Sequence, residues 1–133
     1  MKNDIEMIKE VVEEIGLRPR FDEDGDLVVR YQLKTIFFFA AEESSFVSMA
    51  MPRIYKVKEG EEALAFAVCN KLTRDIKLIK FYLEETLADV SASCEFYFSD
   101  RESLKNSIEQ AFRVMGVANT TFFKTKEELE EDE

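Results

Sequence analysis

The chain contains no histidine, no tryptophan, only four glycines among its 133 residues, and two cysteines and two prolines. Without histidine it cannot build a Ser-His-Asp or Cys-His site, and it lacks the commonest transition-metal ligand. Four glycines leave no material for a phosphate-cradling loop, and neither GxGxxG nor GxxxxGK[ST] occurs. Cys69 and Cys94 stand outside any CxxC spacing, so they read as small buried hydrophobes, with no metal and no cofactor implied. Basic runs are absent too. With a net charge of −10 and no cluster of Lys or Arg, phosphate neutralisation is excluded, so neither nucleic acid nor an anionic membrane is an expected partner. No apolar run approaches the roughly 20 residues that cross a bilayer, and Met1–Asp4 lead straight into a polar periodic segment, so a cytoplasmic protein is expected.

What remains is 46% apolar and 35% charged residues, enough to bury one core and keep its surface dissolved. The expectation is a single α+β domain over residues 1–123, followed by an acidic, disordered tail over 124–133. Ile5, Ile8, Val12 and Ile15 recur at helical steps behind Asn3 and Glu6, a capping-box pair, and predict a helix over about 4–15 that Gly16 and Pro19 end. The period then becomes two: Leu27, Val29, Tyr31 and Leu33 alternate with Val28, Arg30, Gln32 and Lys34. Thr35–Ala41 holds Phe37, Phe38 and Phe39 in succession, so a strand there places bulky rings on both faces. Either both faces are covered or one docks a partner. After the turn 42–45, Phe46–Met51 forms a third strand that Pro52 helps to end.

Residues 61–72 predict an Ala-rich helix whose apolar side chains go most of the way round, so it is buried on more than one side, by its own chain or by a second subunit. Two strands follow, over 76–83 and 90–98. The second alternates Val90, Ala92, Cys94, Phe96 and Phe98 with Ser91, Ser93, Glu95 and Tyr97. Ser99 and Glu102 suggest another capping box, and Leu104, Ile108, Ala111, Phe112 and Met115 share one helical face. Strand groups joined by short turns favour antiparallel pairing, giving a sheet of about five strands in the order α-β-β-β-α-β-β-α with helices packed on it.

Chemistry-bearing groups are sparse. Asp22, Asp24 and Asp26 imitate the start of a calcium loop, but Leu27 stands where glycine is needed and Leu33 where a bidentate Glu is needed, so the segment reads as a hairpin turn. Glu61 with Glu62 and Glu84 with Glu85 read as solvated pairs. Phe37, Phe39, Phe66 and Val68 are therefore the candidate surface for a partner chain or a homodimer, in a non-enzymatic protein-binding role. The alternative is a small-molecule sensor with an apolar pocket near Phe38, Phe66 and Phe96.

Three segments carry a family resemblance: the turn and strand Phe21–Val29, the helix end Val68–Leu72 and the aromatic strand Ile79–Leu83. With the element order, they resemble the YbjN-like domain, whose fold is similar to that of the type III secretion chaperones. The resemblance implies a non-enzymatic fold that commonly dimerises and, in the secretion chaperones, holds extended segments of effectors on apolar patches. The family often has a glycine in the acidic turn after the strand matching Ile79–Leu83, whereas this chain has Glu84–Asp89 without one.

Overall fold

The computed structural model describes residues 3–39 and 44–131. Helix α1 spans Asn3–Glu14 and buries Ile8, Val11 and Val12. The Asn3 side chain, expected as its cap, lies outside the described residues, as do Ala40–Glu43 of the expected strand end and turn. The strands are β1 (Arg20–Phe21), β2 (Leu27–Tyr31), β3 (Lys34–Phe39) and β4 (Phe46–Lys56). Helix α2 (Glu62–Asp75) is followed by β5 (Ile79–Leu83), β6 (Asp89–Tyr97), α3 (Arg101–Gly116) and α4 (Ala118–Glu131). The strands form one antiparallel sheet in the order β1-β2-β3-β4-β6-β5. The expected α+β order holds, enlarged by the two-residue β1 and by α4.

Local chemistry explains the turns. Asp22 Oδ1 accepts hydrogen bonds from the Asp24 and Asp26 amides at 2.9 and 3.0 Å, and Gly25 takes φ +86°, which closes the β1–β2 hairpin. Pro52 does not end its strand. It sits where the β4–β6 register shifts between Met51 and Tyr55, beside Arg53 at φ +54°, and an irregular ladder tolerates a residue without an N–H. In the glycine-free turn after β5, Leu87 adopts φ +64° and its amide reaches the Glu84 carbonyl at 2.7 Å, so the β5–β6 pairing keeps a regular register from Ile79↔Cys94 to Leu83↔Val90. The α3 cap is Asp100 rather than Ser99. Its Oδ1 accepts from the Ser103 amide at 2.8 Å, and Ser103 Oγ accepts from the Asp100 amide at 3.0 Å, because the helix starts at Arg101 and its third residue is therefore Ser103, not Glu102.

The register lines up one row of side chains across five strands: Leu27, Phe38, Met49, Cys94 and Ile79. All are buried, and all belong to the core that Val11 and Val12 of α1, Val68 and Leu72 of α2, Leu104, Ile108 and Phe112 of α3 and Phe122 of α4 complete. Burying each such side chain contributes about 1.5–3 kcal/mol. The helices pack in the order α1-α3-α4-α2 as one layer over this face. Burial also pushes the Cys69 and Cys94 thiols up to about 11 and about 12, so both stay protonated at neutral pH.

The structure bears on two expectations for the helices. Helix α2 buries only Ala65, Val68, Cys69 and Leu72, one stripe, while Ala63, Phe66 and Ala67 are exposed. Its own chain covers it on one side only, with small alanines on much of the exposed side, so, of the two expected alternatives, cover all round by its own chain does not occur. Residues 124–131 continue α4 instead of forming a loose tail. Phe122, Thr125 and Leu129 recur at helical steps and pack inward, and Lys126 Nζ lies 3.2 Å from Glu61 Oε2, which also accepts at its other oxygen from the Tyr55 hydroxyl at 2.7 Å. At the far side of the sheet the centre of the outer edge of β5 is engaged: the Phe81 amide donates to Thr73 Oγ1 at 2.9 Å, and the Thr73 hydroxyl donates to the Phe81 carbonyl at 3.2 Å.

Candidate docking surface

One residue along each strand, the side chains point the other way. Val28, Phe37, Ala50, Ser93 and Lys80 form the row behind the core row. Val28 and Ala50 are the only buried apolar residues, among those described, outside the continuous core, because no helix lies over them. Neighbouring rings shield them instead. Phe37 and Phe39 stack with centroids 6.0 Å apart, and Phe46 and Tyr97 meet at 5.0 Å from adjacent strands. Phe39 is 41% exposed and Tyr97 62%, values that mark an aromatic surface open to solvent. Polar groups border it. Lys80 Nζ pairs with Glu95 Oε1 at 2.6 Å and lies 5.8 Å from the Tyr82 ring centroid, and Ser48 Oγ is 3.4 Å from Glu95 Oε2.

The structure divides the four residues singled out from sequence. Phe37 and Phe39 lie together on this helix-free face. Phe66 is half-exposed on α2, in the helix layer, and Val68 is fully buried against the sheet and presents no surface. Phe46, Tyr82 and Tyr97 complete the patch and were not singled out. The signal existed in β6, where the polar phase Ser91, Ser93 and Glu95 ends on an aromatic, Tyr97.

Phe38, Phe66 and Phe96 do not enclose a pocket. Phe38 is fully buried and meets the Phe112 ring edge-on at 6.1 Å, Phe96 packs against the core, and Phe66 faces solvent. Three surface depressions occur elsewhere: about 360 Å³ beside Thr73, Lys77 and Lys80, about 640 Å³ along the polar start of α3, and about 400 Å³ at the β2–β3 hairpin tip. None is lined by those three rings. Among the described residues no cluster of three metal-ligating side chains occurs, and no helix is long and apolar enough to cross a membrane. Among the described residues the carboxyls with shifted acidity are held low: Glu14 by Arg101, Asp75 by Lys71 and Asp100 by the Ser103 amide, while in Glu61 the pull of the Lys58 amide, Tyr55 and Lys126 outweighs burial. A carboxylate acting as general acid requires the opposite shift.

The family described as "T3SS (YopN, CesT) and YbjN peptide-binding chaperone 1" matches residues 4–121. No curated relative matches the chain in sequence. Among solved structures, YbjN from E. coli superposes with a TM-score of 0.71 at 7% identity, covering 94% of this chain and 92% of that one. The Yersinia pestis type III secretion chaperone SycH, in complex with a stable fragment of YscM2, gives a TM-score of 0.61 at 12% identity, with 89% and 98% covered. The ExsC–ExsE complex gives 0.56 at 14% identity, with 84% and 87% covered. At these identities the likeness concerns the fold.

Proposed function

We propose that this chain, which belongs to the T3SS and YbjN peptide-binding chaperone family, binds a segment of another polypeptide on the helix-free face of its sheet. The observation that carries the reading is the uncovered aromatic patch of Phe37, Phe39, Phe46 and Tyr97 on a sheet whose other face is fully occupied by helices. Apolar side chains of the bound segment lie against these rings, and the Lys80–Glu95 pair and Ser48 supply polar contacts at the border. Binding of this kind needs no reactive group, and the role is non-enzymatic. SycH is seen with a fragment of YscM2, and ExsC with ExsE, which supports the same role for the shared fold.

A homodimer belongs to the same proposal, with Phe66 on α2 as its contact, since that ring lies in the helix layer and leaves the sheet face free. So does a cytoplasmic location. The test is a titration of fluorescein-labelled Leu- and Phe-containing peptides followed by anisotropy. Wild-type protein is expected to bind, and Phe39→Ser and Tyr97→Ser to weaken binding without lowering the melting temperature. Equal affinity of both variants and the wild type would exclude this face as the binding surface.

A further inference from the structure

The hairpin tip between β2 and β3, a two-residue turn that demands left-handed backbone at both positions, carries side chains that the turn itself does not call for. Gln32 and Leu33 both adopt left-handed conformations, φ +49° and +69°, with neither glycine nor asparagine to relieve them, and Leu33 is 91% exposed. The tip borders the depression of about 400 Å³, lined by Leu33, Phe37, Met51 and Pro52 together with Lys34 and Arg53. Among the described residues no acidic one lines it, although the chain carries 28 acidic residues against 18 basic ones. Lys34, Arg53 and the adjacent Arg30 form no ion pair among the described residues, and Arg30 instead donates to the Leu33 carbonyl at 3.1 Å. An acidic protein thus keeps a notch with positive charge and apolar lining at one end of its aromatic face, continuous with that face through Phe37.

We infer that this notch selects an acidic, apolar segment of the partner polypeptide, a bulky apolar side chain lying against Leu33 and Phe37 and a carboxylate meeting Lys34 and Arg53. The inference rests on the proposed docking face and adds to it the chemistry of the segment. Charge complementarity carries it, because the surrounding protein, at −10, attracts cationic peptides and repels acidic ones over longer distances. Preference for an acidic segment therefore has to come from local groups.

The experiment uses three synthetic peptides with the same Leu and Phe residues, spaced by Glu, by Ser or by Lys, titrated by anisotropy against the full chain. The Glu peptide is expected to bind about tenfold more tightly than the Lys peptide at about 0.15 M salt, where the long-range repulsion by the acidic protein is screened more than the close contacts with Lys34 and Arg53. Lys34→Glu with Arg53→Glu reverses the order. Lys34→Glu alone shifts it in the same direction, which keeps the test decisive if the double variant does not fold. Phe39→Ser weakens all three peptides. If the three bind alike, the inference fails and the docking face stands; if none binds, both fall. A dimer in solution that Leu33→Ser dissociates would place a second copy of this chain in the notch and overturn the inference.

Discussion

The two faces of the sheet are built from the same strands, one residue out of phase, and they differ in almost every physical respect. Phe38 is fully buried and edge-on to Phe112, whereas Phe37 and Phe39, its immediate neighbours, stack on each other with no helix above them. Composition does not distinguish the three rings; the side on which the helix layer lies does. On the covered face an aromatic ring holds the protein together, and on the open face the same residue type is available to hold something else.

The sharpest way to break this comparison is Phe38→Ala. It should remove about 3–5 kcal/mol of stability in denaturant titrations, through lost burial and a cavity that its packed neighbours cannot fill. A loss below about 1 kcal/mol would mean that the two faces are not energetically distinct. A second variant loosens the cover itself. Lys126→Ala removes the ammonium that links α4 to Glu61 and should cost about 1–3 kcal/mol by thermal melting, since both partners are largely shielded. The same link predicts an acid dependence. Burial alone raises the Glu61 carboxyl, yet the Lys58 amide, Tyr55 and Lys126 leave it below the usual 4.5. Its contribution is therefore complete above that value and is lost as pH falls through the lowered one, and Glu61→Gln should flatten this part of the stability profile.

Asp100→Ala, which uncaps α3 over the covered face, should lower the melting temperature by less than Lys126→Ala does. The smallest effect on stability belongs to the open face. Phe39→Ser should change unfolding free energy by no more than about 0.5 kcal/mol while lowering peptide affinity, and a large destabilisation would show that the ring is structural after all.

Much of this arrangement is legible in the residue order. Period-two alternation of residue type identifies β2 and β6, and the spacing of Leu104, Ile108 and Met115 identifies the buried face of α3, because a face turned to the core imposes a period on residue type even where the other face is shielded too. The run Phe37–Phe39 leaves open which rings are covered, since a strand with bulk on both faces has no period to read, and coverage depends on helices distant in sequence. Val68 illustrates the same limit in α2, where alanines on the exposed side hide which stripe is buried. In α4, charges at Lys124, Lys126, Glu127 and Glu128 mask the inward spacing of Phe122, Thr125 and Leu129. The notch at Leu33 is a product of topology, because Lys34 and Arg53 lie on different strands and meet only when β3 and β4 lie side by side.

The hydroxyl of Thr73 occupies the centre of one edge of the sheet. A sheet with two open edges can take a neighbour on each and so propagate into a filament. Here the centre of the β5 edge already has its amide and carbonyl engaged by Thr73, and the opposite edge offers only the two residues of β1. Growth by strand addition is therefore disfavoured at both edges. One side chain on a neighbouring helix thus takes the middle of one edge out of strand addition, while the aromatic face beside it stays open.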